Sequence, residues 1–215
     1  MNGPSSKAFE RTRVPAWYVN EITGFLAASA DQVLGELARG SHFPVDLTQR
    51  DAWLQEIAVL RDALAGFDGW LFLEFEVPRL GSRVDAVVVT SSAVIPIEFK
   101  TGSDDFPRAD YDQAWDYGLD LKNFHAASHL ASIFPVLCAT DAPDGDRIWE
   151  APHSDGVRPP RRCTPSGLRA AIESAKEQAV GPVVDGAAWG MARYQTSMKW
   201  KIASRASALV AKRRA

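Results

Sequence analysis

The chain has 215 residues, 46% of them hydrophobic and 24% charged. It is long and apolar enough for one domain with a real core, and no run of about 18 consecutive apolar residues predicts a membrane span. The net charge of −3 hides an asymmetry, because residues 191–215 hold seven basic and no acidic side chains while the first 190 hold 17 basic against 27 acidic. An acidic body with a basic end does not exclude a nucleic-acid partner.

In chain order, the polar stretch Met1 to Pro15 predicts a flexible N-terminus without a signal peptide, and with it a cytoplasmic protein. Residues 18–39 read as helical in part, with Ile22, Phe25, Leu26, Val33, Leu34 and Leu37 as the apolar set and Gly40 as a stop. A stronger helix follows from 47 to 67. There Trp53, Ile57, Leu60 and Leu64 recur at spacings of 4, 3 and 4, with Thr48 as the predicted cap. Three extended runs then form a meander: WLFLEFEVP, RVDAVVVT and AVIPIEFK. A helix with Pro107 near its start, a buried strand IFPVLCAT and a helix TPSGLRAAIESAKEQA complete the order αβββαβα. Cys138 and Cys163 form no CxxC pair, so neither a disulfide nor a zinc knuckle is expected, and Cys138 reads as a buried thiol.

The third extended run interrupts itself with Glu98 and Lys100, which strand alternation puts on one face. The bland reading is a solvated ion pair worth under about 1 kcal/mol. Asp85, placed by alternation on the face of Val87 and Val89, sits in a run so apolar that an ionised carboxylate there calls for a partner or a metal. If the second and third runs pair as a hairpin, Asp85 meets Glu98 and Lys100. Two carboxylates then offer hard oxygens for Mg²⁺ or Mn²⁺, and the lysine can orient or help deprotonate a water and stabilise charge on a phosphate.

At these residues the sequence resembles the PD-(D/E)XK nuclease superfamily, through Asp85 followed by Glu98-Phe99-Lys100, and the RecB-type QxxxY branch of it through Gln113 and Tyr117. The segments EFEVPRLGSRVDAVVV, PIEFKTG, DQAWDYGLDLKNFH and FPVLCAT look like the nuclease-type domain that precedes a P-loop DNA/RNA helicase in many bacterial proteins, some linked to phage defence. The resemblance implies an α/β fold with an αβββαβ restriction-endonuclease-like core, a mixed central sheet flanked by helices. It also implies a Mg²⁺- or Mn²⁺-dependent nuclease acting on DNA or RNA, with Asp85 and Glu98 as metal ligands and Lys100, Gln113 and Tyr117 completing the catalytic set. A fourth acidic residue from the first helix occurs in some relatives, which makes Glu56 a further candidate ligand. The implied organisation is a flexible 1–15, a nuclease-like domain over 16–195 and a basic helix or tail over 196–215. No G-x-x-x-x-G-K-[ST] phosphate loop is present. The rival class is a catalytically silent nuclease-fold module that binds nucleic acid or a helicase-like partner. A weaker third reading is a structural subunit whose tail docks an acidic protein.

Other residues carry plainer expectations. His125 and His129 lack a third ligand at suitable spacing and read as capping or packing groups. Glu74 and Glu76 read as solvated edge residues rather than metal ligands, and Trp53 and Trp115 as core rather than base-stacking platforms. Arg158, Arg161 and Arg162 fit either phosphate contacts or a solvated loop.

Overall fold

A computed structural model describes residues 14–41 and 44–194. The predicted flexible N-terminus up to residue 13 and the basic helix or tail over 196–215 lie outside the described residues. The fold is α/β: an open, mixed seven-stranded sheet flanked by helices. The long helix α3 (Leu47–Leu64) turns Trp53, Ile57 and Leu60 inward, as the spacing predicts, but its cap is Asp46, whose side chain accepts from Gln49 N–H at 2.8 Å, rather than Thr48. The three extended runs become β2 (Trp70–Val77), β3 (Ser82–Thr90) and β4 (Ala93–Lys100), an antiparallel meander. Gly69 lies at φ +138, where an added Cβ would come 2.3 Å from the Val89 carbonyl oxygen, so only glycine lets β2 start this close to β3.

The region expected to be helical in part divides into three. Tyr18–Glu21 is β1, an edge strand antiparallel to β2. It leads into α1 (Ile22–Ala27) and α2 (Ala30–Gly40), the latter opened by a capping box between Ser29 and Gln32. Beyond β4 the sheet turns parallel. The run IFPVLCAT divides at Phe134-Pro135 into β5 (Ser132–Ile133) and β6 (Val136–Ala139), both parallel to β4. β7 (Arg161–Cys163), a strand the sequence reading leaves as loop, continues the sheet beside β6.

Helices cover both faces. On one, α3 and α5 (Pro165–Gln178) pack against Leu71, Leu73, Ala86, Val88, Ile95 and Ile97. On the other, α4 (Arg108–Phe124) and the short α6 (Gly186–Gly190) supply Tyr117, Leu121 and Trp189 over Phe72, Phe75, Val84, Val87 and Val89. Cys138 and Cys163 face each other across the β6–β7 pair as free, buried thiols.

Candidate active site

The cluster gathers residues of α3, β2, β3, β4 and α4 where the meander loses its regularity. On β2, Leu71 and Leu73 face the α3 side and Phe75 and Val77 the α4 side; on β3, Ala86 and Val88 face α3 while Val84 faces α4. Both strands therefore change face at one opposed position, Glu74 on β2 and Asp85 on β3, and the residue pairing skips it, running from Leu73↔Ala86 to Phe75↔Val84. Glu74 adopts a left-handed φ of 52, a conformation costing a non-glycine residue of order 1 kcal/mol or more. On the other side of β3 the ladder with β4 ends at Ala86↔Ile97. The Asp85 carboxylate occupies the opening there, accepting the Phe99 backbone N–H at 2.7 Å. Asp85 thus does not simply share the face of Val87 and Val89 as strict alternation requires, because the strand turns at that residue.

Glu98 and Lys100 follow the alternation. Glu98, 4% exposed, receives Lys100 Nζ on Oε1 at 2.9 Å, while its Oε2 is buried without a hydrogen-bond partner. Lys100 Nζ also approaches Asp110 Oδ1 at 3.2 Å and Gln113 Oε1 at 3.5 Å, both on α4. Gln113 Nε2 in turn donates to Tyr117 Oη at 2.8 Å, and Tyr117 Oη donates to the Arg83 carbonyl at 2.8 Å. Gln113 and Tyr117 therefore join the Lys100 end of the cluster through a continuous chain of hydrogen bonds. Asp110, one helical turn before Gln113, belongs to the same face of α4 and is a site residue the sequence reading does not name; its spacing of 3 from Gln113 is the signal.

From α3, Glu56 reaches the same open cleft of about 480 Å³ that Asp85, Glu98 and Lys100 line. The carboxylates repel one another. Burial, then Glu74 and Glu98, push Glu56 up to about 8 from an ordinary 4.5. Burial and the charges of Glu98 and Glu56 hold Asp85 well above its usual range. Glu98 is raised by burial despite the opposing pull of Lys100. Burial draws Lys100 down, but Glu98 and Asp110 outweigh it, so its pKa is raised and the side chain stays cationic at neutral pH.

The donor set suits a hard dication. It is all oxygen, one carboxylate oxygen is buried and unpartnered, and the accumulated negative charge is what a dication relieves. Among the described residues, no three His, Cys, Asp or Glu side chains already stand in a metal-holding arrangement. The fit is thus to an open site of two carboxylates completed by water and substrate oxygens, as Mg²⁺ accepts.

Glu74 departs from its expectation as an edge residue. It is 6% exposed and buttresses the cluster, with Trp53 Nε1 donating to Oε1 at 2.7 Å and Arg83 Nε to Oε2 at 2.5 Å. Glu76 is exposed as expected, and Trp53 is core. Trp115 is half-buried rather than core. Arg161 is neither a loop residue nor free for phosphate; it is buried on β7, with its guanidinium donating to the carbonyls of Asp146 and Arg147. His125 is buried against Trp189 and bonded to Ser128, and burial lowers its pKa to about 4. His129 bonds the Lys122 carbonyl through Nδ1. No helix among the described residues is long and apolar enough to cross a membrane. Comparisons of the chain with known protein families, with characterised proteins and with solved structures found no match.

Proposed function

We propose that the protein is a Mg²⁺- or Mn²⁺-dependent nuclease that hydrolyses phosphodiester bonds in DNA or RNA, on a sheet serving as a restriction-endonuclease-like core. One observation carries the reading. Asp85 and Glu98 converge with Lys100 where the β3–β4 ladder opens, and Glu98 Oε2 is left buried without a partner. Buried polar atoms usually find a partner, and a cation held between the two carboxylates would supply one here.

Asp85 and Glu98 would hold the metal, with Glu56, which lines the same cleft, as a further carboxylate; the ion would supply charge neutralisation at the phosphate and acidify the attacking water. Lys100, kept cationic by Glu98 and Asp110, is suited to binding a phosphate oxygen and stabilising the charge that builds on it rather than to removing a proton. Gln113 positions Lys100, and Tyr117 fixes Gln113 by anchoring it to the Arg83 carbonyl.

The test is incubation with labelled single- and double-stranded DNA and RNA in Mg²⁺, Mn²⁺ or EDTA. Cleavage should require the metal, and Asp85→Asn, Glu98→Gln and Lys100→Met should each lower it by about 100-fold or more with secondary structure intact. Absence of metal-stimulated cleavage of any substrate, or full activity in Lys100→Met, would sink the proposal. One observation favours a second reading, a silent module that binds nucleic acid or a helicase-like partner: no three ligands stand preassembled among the described residues. That reading requires nucleic-acid or partner binding that Asp85→Asn and Glu98→Gln leave unchanged.

A further inference from the structure

Helix α4 has two working flanks. Asp110, Gln113 and Tyr117 lie toward Lys100, while Arg108, Tyr111 and Trp115, spaced by 3 and 4, share a different face. That second flank borders a separate cleft of about 310 Å³, closed on its other sides by Glu150, His153 and Arg162 from the loop before β7 and from β7 itself. The volume falls at the lower end of the range of small-ligand pockets, roughly 300–1,000 Å³.

The lining is aromatic at its centre and charge-balanced at its rim. Trp115 is half-buried, with Tyr111 5.9 Å away at 89° and His153 5.0 Å away at 65°. Neither neighbour lies flat against the indole, so the cluster has not consumed its stacking capacity internally. The arginines are already committed: Arg162 makes two bonds to the Asp146 carboxylate at 2.8 and 3.0 Å, and Arg108 pairs with Asp112 at 2.9 Å. With those charges neutralised and Glu150 at the rim, the cleft does not favour a phosphate. It offers a planar group aromatic walls to stack on and a carboxylate that accepts from an exocyclic amine.

We infer that this cleft is a nucleobase subsite holding one unpaired base of a single strand, which passes over the N-terminal turn of α4 between Lys100 and Trp115. The identification of the polymer rests on the nuclease reading; the stacking chemistry does not. A base inside a duplex has no free face to offer, so the subsite selects single-stranded or frayed ends.

The experiment uses the full chain in EDTA, where no cleavage occurs, and fluorescence anisotropy of labelled octamers: mixed-sequence DNA, the matching RNA, an abasic backbone of the same length, and a blunt duplex. The natural single strands should bind about tenfold or more tightly than the abasic backbone. Trp115→Ala should erase that difference, Trp115→Phe should retain most of it, and duplex binding should not respond to either. Equal affinity of wild-type protein for natural and abasic strands overturns the subsite, and that comparison needs no variant to fold. A base preference that survives in a folded Trp115→Ala protein also overturns it. Metal-dependent cleavage alongside either result leaves the nuclease reading standing, while a Trp115-dependent base preference in a protein that never cleaves keeps the subsite and sinks that reading.

Discussion

Replacing Glu56 by glutamine tests whether the cluster is built to be completed by a cation. The side chain is only partly exposed and faces Glu74 and Glu98, and its pKa stands at about 8 against an ordinary 4.5. The folded protein therefore holds this proton to a higher pH than the unfolded chain does. Stability contributed by the group is complete below about pH 4.5 and is lost as the pH climbs through 8. Taken in full, such a shift corresponds to about 5 kcal/mol at 1.36 kcal/mol per unit. Because the side chain lines an open cleft, solvent screening reduces this to about 2 kcal/mol. In EDTA, Glu56→Gln should match the wild type at pH 5 and exceed it by about 2 kcal/mol at pH 9, which at 1–3 kcal/mol/M is a rise of about 1 M in the urea midpoint. Millimolar Mn²⁺ should reverse the order at pH 9, since only the carboxylate gains from the ion. Equal midpoints for the two proteins from pH 5 to 9 without metal would refute the electrostatic reasoning.

Trp53→Phe removes the indole donor to buried Glu74 and should cost about 1–3 kcal/mol in urea unfolding at pH 7, whereas a change under about 0.5 kcal/mol would mean Glu74 needs only Arg83. Gly118→Ala would place a Cβ 2.6 Å from Pro135 Cγ and 3.2 Å from Val157 Cγ1; it should cost about 1–3 kcal/mol by overpacking and, by lifting α4 with Gln113 and Tyr117, lower cleavage at protein concentrations and temperatures where the fold is intact. Unchanged cleavage in a destabilised Gly118→Ala protein would detach α4 from the chemistry.

The sequence by itself determined the features that depend on local periodicity. The apolar spacing of Trp53, Ile57 and Leu60 fixes the inward face of α3, β-branched runs fix β3 and β4, and a period of two puts Glu98 and Lys100 side by side. The four-residue step from Gln113 to Tyr117 puts those side chains in mutual reach on α4. Tertiary structure decided the rest, because it depends on pairing and not on pattern. Strands such as β1 and β7 are stabilised by the ladder they join rather than by their own residues, so nothing local announces them. The change of face at Glu74 and Asp85 breaks the alternation from which their directions would be read, and contacts with Trp53, Arg83 and the Phe99 N–H hold it in place. Glu56 and Asp110 reach the cluster because α3 and α4 pack across opposite faces of one sheet, a juxtaposition of residues 54 positions apart that no spacing rule encodes.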